Sequence, residues 1–282
     1  MRVRALDVMP RVFEQGPYRL AMGLSRLEPA AWLWVSEHHA AEIAHKRRLL
    51  ADGADIARRL PEGEDAIHET AELVDAYLAA HHPELAPADA ADPLTRTGLA
   101  VQEDFCWLQA SEDGHRLVAA FVAFPARWRL ADKIGRPLDA IHAPVPGFAD
   151  RLLAPTERIF QGLAVDRPVE RANWSLVDDP DLHQPEAKDR WRRIALTPAN
   201  AGERLHLRVE RQTLRRLPAT GVVLFTIHTI MAPLAAIAAA PLTAAALRAR
   251  LAEMPAAMRD YKNLATAHAA LDRYLAARAG EA

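Results

Sequence analysis

Residues with usable chemistry gather in three short stretches of this chain. In Asp139-Ala140-Ile141-His142-Ala143-Pro144-Val145-Pro146, two prolines stiffen the backbone beside one imidazole. A stiff loop just before a helix suits a histidine held in one orientation, as an axial metal or haem ligand must be. Taken by itself, the pattern is more often that of a structurally satisfied histidine than of a ligand. In Arg204–Phe225, RLHLRVERQTLRRLPATGVVLF, His206, Arg208 and Glu210 fall at every second position. On a strand they share one face, an arrangement fit either for a charged network around a ligand or for a solvated edge. Arg171-Ala172-Asn173-Trp174 adds a guanidinium, an amide and a large ring, of which the Trp174 ring alone reads as core.

Leu205, Leu207 and Val209 alternate with the polar set, as in a half-buried strand. Arg211 then falls on the apolar side, so either the strand bulges there or a guanidinium points inward and needs an anion. Leu217-Pro218-Ala219-Thr220-Gly221 is a turn by composition, and the apolar run Val222–Ile230 completes a hairpin. Upstream, Ala100–Leu108 and Leu117–Phe124 flank Ser111-Glu112-Asp113-Gly114 as a second hairpin, and Glu170–Val177 reads as a fifth strand. Helical patterns cover Glu37–Leu50, Asp65–Ala80, Phe148–Gly162, Leu242–Met254 and Met258–Ala277. His81–Asp92 is the best linker, and Asp178–Gly202 is a long polar excursion with the character of a lid or partner contact. The expectation is an α+β fold, a five-stranded antiparallel sheet with helices on one face plus N- and C-terminal helical additions. Its divisions are 1–98 (arm and helices), 99–231 (core) and 232–282 (C-terminal helices).

Composition excludes several classes. A net charge of −2, from 35 basic and 37 acidic residues, gives no reason to expect nucleic acid as a partner. One cysteine, Cys106 between Phe105 and Trp107, can form neither an internal disulfide nor a cysteine-held iron–sulfur cluster. With no apolar leader in MRVRALDVMP, the reading is cytoplasmic. The uncharged run Ala219–Leu247 is interrupted by Gly221, Pro233 and Pro241, and parses as a buried strand followed by an alanine-rich helix rather than a membrane span. Dinucleotide, P-loop, HExxH and GxSxG motifs are all missing. Nine histidines (His38, His39, His45, His68, His81, His82, His115, His183 and His268) read as surface, and His206 and His228 as cross-strand partners or pocket groups.

QEDFCWL (102–108), FPARW (124–128), the KIG…IHAPVPGF run (133–148), RANW (171–174), RVERQTLRRLP (208–218) and TGVVLFTIHT occur in this order. Together they resemble the haem-dependent oxidative N-demethylase family, over nearly the whole chain. The resemblance implies a PAS-like sheet holding haem b, and oxygen-dependent oxidation of a small secondary amine such as dimethylamine to formaldehyde and the primary amine. Electrons would come from NADPH through FMN and a [2Fe–2S] cluster on a partner reductase, in keeping with the motifs missing here. It makes His142 the first choice of iron ligand and His206 the second, with Arg171 and Trp174 beside the cofactor. Arg208, Glu210 and Arg211 would polarise oxygen, hold the amine or pair with propionates. The competing class is a haem-binding PAS-like sensor or small-molecule module without turnover.

Overall fold

The computed structural model describes residues 2–3, 9, 11–14, 17–18, 20–85, 87–186 and 195–281. Nine strands occur in it. β1 (Arg2–Val3) and β3 (Val35–Ser36) form a two-residue parallel pair. The other seven make one antiparallel sheet: β2 (Ser25–Arg26), β4 (Ala57–Arg59), β5 (Asp104–Ser111), β6 (Gly114–Phe121), β7 (Val169–Val177), β8 (His206–Arg216) and β9 (Val223–Pro233), in the order β2-β7-β8-β9-β5-β6-β4. The five long strands are those expected; β4 and β2 widen the sheet to seven at its edges. Both hairpins form. Ser111 faces Gly114 across one turn, and Gly221, with φ of 71°, closes the other in a conformation open to glycine.

Pairing fixes which side chains share a face, because side chains alternate along each strand. Val209 lies opposite Trp174 and Ile230, and Trp107 opposite Leu224. The first face therefore carries Leu207, Val209, Arg211, Trp174, Ile230, His228, Phe105 and Trp107. At one end it packs on the C-terminal helices α5 (Pro241–Glu253) and α6 (His268–Ala279), through Leu247, Leu251, Leu271 and Leu275. At the other it packs on α2 (Glu64–His81) and α3 (Pro93–Ala100), through Ile67, Val74, Leu94 and Leu99. The second face carries Arg171, Arg208, Glu210, Leu214, Val223 and Cys106. Part of it is covered by Leu138 of a short helical turn and by Phe160 of α4 (Leu153–Gly162). Helices thus cover both faces rather than one, since the chain's two ends share one side and the 130–162 connection crosses the other. Both terminal segments share hydrophobic clusters with the sheet. Among the described residues no helix is long and apolar enough to cross a membrane.

One helix is anchored by charge. α1 (His39–Ala51) buries a single residue fully, Lys46. Its Nζ donates to the carbonyls of Gly98, Val101 and Glu103 and lies 3.5 Å from Asp104 Oδ1. Asp104, also fully buried, accepts the backbone N–H of Ala123 and Phe124. Removing one member of such a buried pair leaves an uncompensated charge and costs about 3–5 kcal/mol. Lys46→Ala is therefore expected to lower the unfolding free energy by about that amount in urea titration. A loss under about 1 kcal/mol would show that the ammonium is dispensable.

Candidate functional site

The His142 segment is shaped by its punctuation. Leu138–His142 is a single helical turn entered from Pro137, and Pro144 and Pro146 stop it from continuing. Gly147 then adopts φ of 73°, which turns the chain into the π-helical turn Phe148–Leu152 that leads into α4. This reversal stacks the Phe148 ring on the imidazole, with centroids 4.1 Å apart and planes 14° from parallel. Nδ1 of His142 lies 2.9 Å from the Leu138 carbonyl oxygen, which can only accept, so Nδ1 carries the proton. Nε2 is left with its lone pair. Burial is the main force holding the His142 pKa below the usual imidazole value; Lys133 and Arg171 add to it, against the Leu138 hydrogen bond. The ring is therefore neutral, ring-oriented and of fixed tautomer.

Arg171 comes from the facing strand β7. Its guanidinium is held below the usual range by burial, opposed by Glu210, and its buried Nε has no partner among the described residues. Glu210 sits one strand over, 87 % screened from solvent at its side chain, accepting from Gln212 Nε2 at 3.1 Å and Arg208 Nε at 3.4 Å. Lys262, just after the short helix Ala256–Tyr261, caps the outer edge of β7 by donating to the Trp174 carbonyl at 2.6 Å. Burial pushes its ammonium down to about 8, with Glu210 opposing and Arg171 reinforcing. No motif in the sequence marks Lys262.

The other residues singled out in the sequence separate cleanly. Arg208 lies on this face but is 1 % exposed. Its guanidinium is spent on the carbonyls of Phe124 and Leu182 and on Thr229 Oγ1. His206 shares the face, half-buried, with no partner for Nδ1 among the described residues and its pKa lowered by burial against the pull of Asp179. Arg211 lies on the opposite face. β8 keeps its register through Arg211, paired with His228 and Ala172, so there is no bulge, and the guanidinium turns inward. It meets Glu170 Oε2 at 2.7 Å and the carbonyls of Trp32 and Ala31. Trp174 also faces that way and packs edge-on to Phe13, as a core ring does. His206 and His228 are not cross-strand partners: His206 lies opposite Pro233, and His228 binds the buried Glu103. Two histidines read as surface are buried, His82 and His115, the latter held at 2.6 Å by Glu157. Part of the polar excursion, 187–194, lies outside the described residues.

A family model described as haem-dependent oxidative N-demethylase, alpha subunit-like, matches residues 84–271, about two thirds of the chain. The chain belongs to this family. The match takes in the His142 turn, β7, β8 and Lys262, and so the whole of the second-face cluster. N-demethylase membership brings haem dependence and oxidative chemistry at the level of the family, and the word subunit implies an assembly of several chains. The residues present fit a haem by their own chemistry: a neutral imidazole with Nε2 open, and two half-buried cations, Arg171 and Lys262, beside the carboxylate of Glu210.

The charge couplings among Lys262, Glu210 and Arg171 have fixed signs. Competitive acylation of Lys262, followed by mass spectrometry across pH, should show a reactivity midpoint near 8. Glu210→Gln removes the group that favours the ammonium and should move the midpoint lower, whereas Arg171→Gln should move it higher. A wild-type midpoint near the ordinary lysine value of about 10.4 would contradict the burial described here. Because the folded pKa is the lower one, stability linked to Lys262 is absent below pH 8. It is gained as pH rises from about 8 toward the unfolded value near 10.4.

Proposed function

We propose that this chain is the haem-binding alpha subunit of a cytoplasmic oxidative N-demethylase acting on a small, dimethylamine-like secondary amine. The His142 turn and the second face of the sheet, both within the 99–231 core, would hold haem b, and segments 1–98 and 232–282 are additions packed on that core. What carries the reading is the His142 ring: Nδ1 committed to the Leu138 carbonyl, one face covered by Phe148, Nε2 open. That is how a ligating histidine is commonly held, with the second nitrogen fixing tautomer and orientation. Nδ1–H bonding to a carbonyl also keeps the ligand nitrogen basic.

When bound, the haem supplies the oxygen chemistry that no side chain here can supply. The chain's own residues bind, orient and neutralise. Arg171, with an unmet Nε, and Lys262 are the natural partners of two carboxylates such as propionates. Glu210 is the carboxylate left to hold a substrate ammonium: among the described residues its hydrogen-bond partners are Gln212 Nε2 and Arg208 Nε. Arg208 is a positioning residue: bound to two backbone carbonyls, it fixes the orientation of Glu210 and has little left for oxygen. Arg211, on the other face, anchors the N-terminal segment instead. Two electrons from NADPH would have to be delivered by a partner chain carrying FMN and a [2Fe–2S] cluster, which this chain's single buried cysteine cannot ligate. With one O2 and two protons they would account for the products: the amine one methyl shorter, formaldehyde and one water.

The test is spectroscopic first and catalytic second. Purified protein should show a Soret band that His142→Ala abolishes or shifts, while His206→Ala leaves it in place. Glu210→Gln should keep the band and lose about a hundredfold in amine-dependent formaldehyde production with a reconstituted reductase. A His142→Ala protein with an unchanged Soret band would overturn the ligand assignment, and haem retention without any turnover would point to a sensor.

A further inference from the structure

The geometry points to a second binding site in this chain: a cavity at the free edge of β9 that takes a substituted alkylammonium ion, with Glu42 as counter-ion and Trp34 and His228 as walls. β5 begins opposite Ile227, so from His228 onward β9 has a strand on one side only. The space left there encloses about 380 Å³, within the roughly 300–1,000 Å³ usual for small-molecule sites. α1 closes one side with Glu42 and His45, the β3 segment another with Trp34 and Ser36, and β9 itself the third.

Charge selects the ligand. Glu103 is fully buried; one oxygen accepts the Trp34 backbone N–H and the His228 imidazole, and the other has no partner among the described residues. Glu42 accepts a single amide, from Gln102 at 2.7 Å. Asp104 lies behind, against the Lys46 ammonium, and Glu103 is met by the His228 imidazole, so among the described residues Glu42 is the one of the three carboxylates with no ion pair. Burial keeps the Glu42 carboxyl above its usual range, although the Gln102 hydrogen bond and the charges of His228, Lys46 and His38 all act to lower it. At the rim, Asp181 lies 3.8 Å from His45, and Arg48 adds one cation. The Trp34 indole is an aromatic wall of the kind that attracts an alkylammonium ion; the Arg211 guanidinium lies 4.1 Å from its ring centre, which leaves the other face of the ring for a ligand. Among the described residues no three His, Cys, Asp or Glu groups converge as a metal site would require, which favours an organic cation.

This site does not rest on the haem assignment. It adjoins the second-face cluster through Arg208, whose partners Leu182 and Thr229 both line the cavity. Calorimetric titration of the full chain with tetramethylammonium chloride, and with uncharged tert-butanol as control, tests it. The cation should bind at least about tenfold more tightly than the alcohol, and Glu42→Gln should weaken it by about tenfold or more. The exposed Asp181→Asn should weaken it about two- to threefold, in step with the weak effect of a solvated charge. Binding should be the same in His142→Ala. Equal affinity in a folded Glu42→Gln protein, or loss of binding in His142→Ala, would overturn the assignment, the latter by moving the ligand to the haem site. Should Glu42→Gln not fold, transfer of magnetisation from the ligand methyls to the Trp34 indole decides the matter, and its absence would overturn the site.

Discussion

A cation taken out of water must be met by oxygen, and in this protein that demand fixes the position of the N-terminal third. Lys46, Arg208 and Arg211 are all essentially buried, and each is satisfied mainly by backbone carbonyls rather than by a carboxylate alone. Carbonyls are numerous, rigid and unable to leave, so a cation that binds two or three of them holds distant segments in register. Lys46 ties α1 to the entry of β5, and Arg211 ties β8 to Ala31 and Trp32, 180 and 179 residues away. Asp104 extends the chain of contacts: it binds the Phe124 N–H while the Phe124 carbonyl binds Arg208. One polar path thus runs from α1 through the first hairpin to Glu210, and each link is costly to leave unmade.

The same strand serves two purposes because side chains alternate. Even-numbered positions of β8 place Arg208 and Glu210 toward the His142 connection; odd-numbered ones place Val209 in the core and Arg211 against the N-terminal arm. Three guanidiniums within a short stretch of sheet therefore have separate jobs. Arg208 and Arg211 have spent their donors on structure, whereas Arg171 has a buried Nε unspent. A buried, unspent donor is expensive in a folded chain and is the kind of group that a bound anion would satisfy.

Local pattern made much of this legible. Period-two alternation and turn composition marked both hairpins, and Arg211 stood out because it broke the alternation; that break came from an inward guanidinium, not a bulge. The same alternation already separated Arg211 from Arg208, so grouping them as one catalytic set ran against the strand period. Burial by remote partners was not legible. Lys46 sits in His45-Lys46-Arg47-Arg48, which reads as a solvated basic run, and only the carbonyls of residues 98–103 turn it inward. His115 looks like a turn residue until α4 brings Glu157 against it. Lys262 has no local signature because its burial is decided by the edge of β7, some 88 residues earlier.

His142 and His206 both have imidazoles kept neutral by burial, so protonation alone does not separate them as the proposed iron ligand. Orientation is what supports proposing His142. A ligand nitrogen is useful only if the other nitrogen has a partner that fixes tautomer and ring angle. At His142 that partner is the Leu138 carbonyl one helical turn back, and Phe148 removes the remaining rotational freedom by lying parallel at 4.1 Å. At His206 Nδ1 is buried with no partner among the described residues, so none of them imposes a tautomer on the ring. The prolines at 144 and 146 matter for the same reason: by ending the turn just after His142 they let Gly147 reverse the chain and bring Phe148 back over the ring.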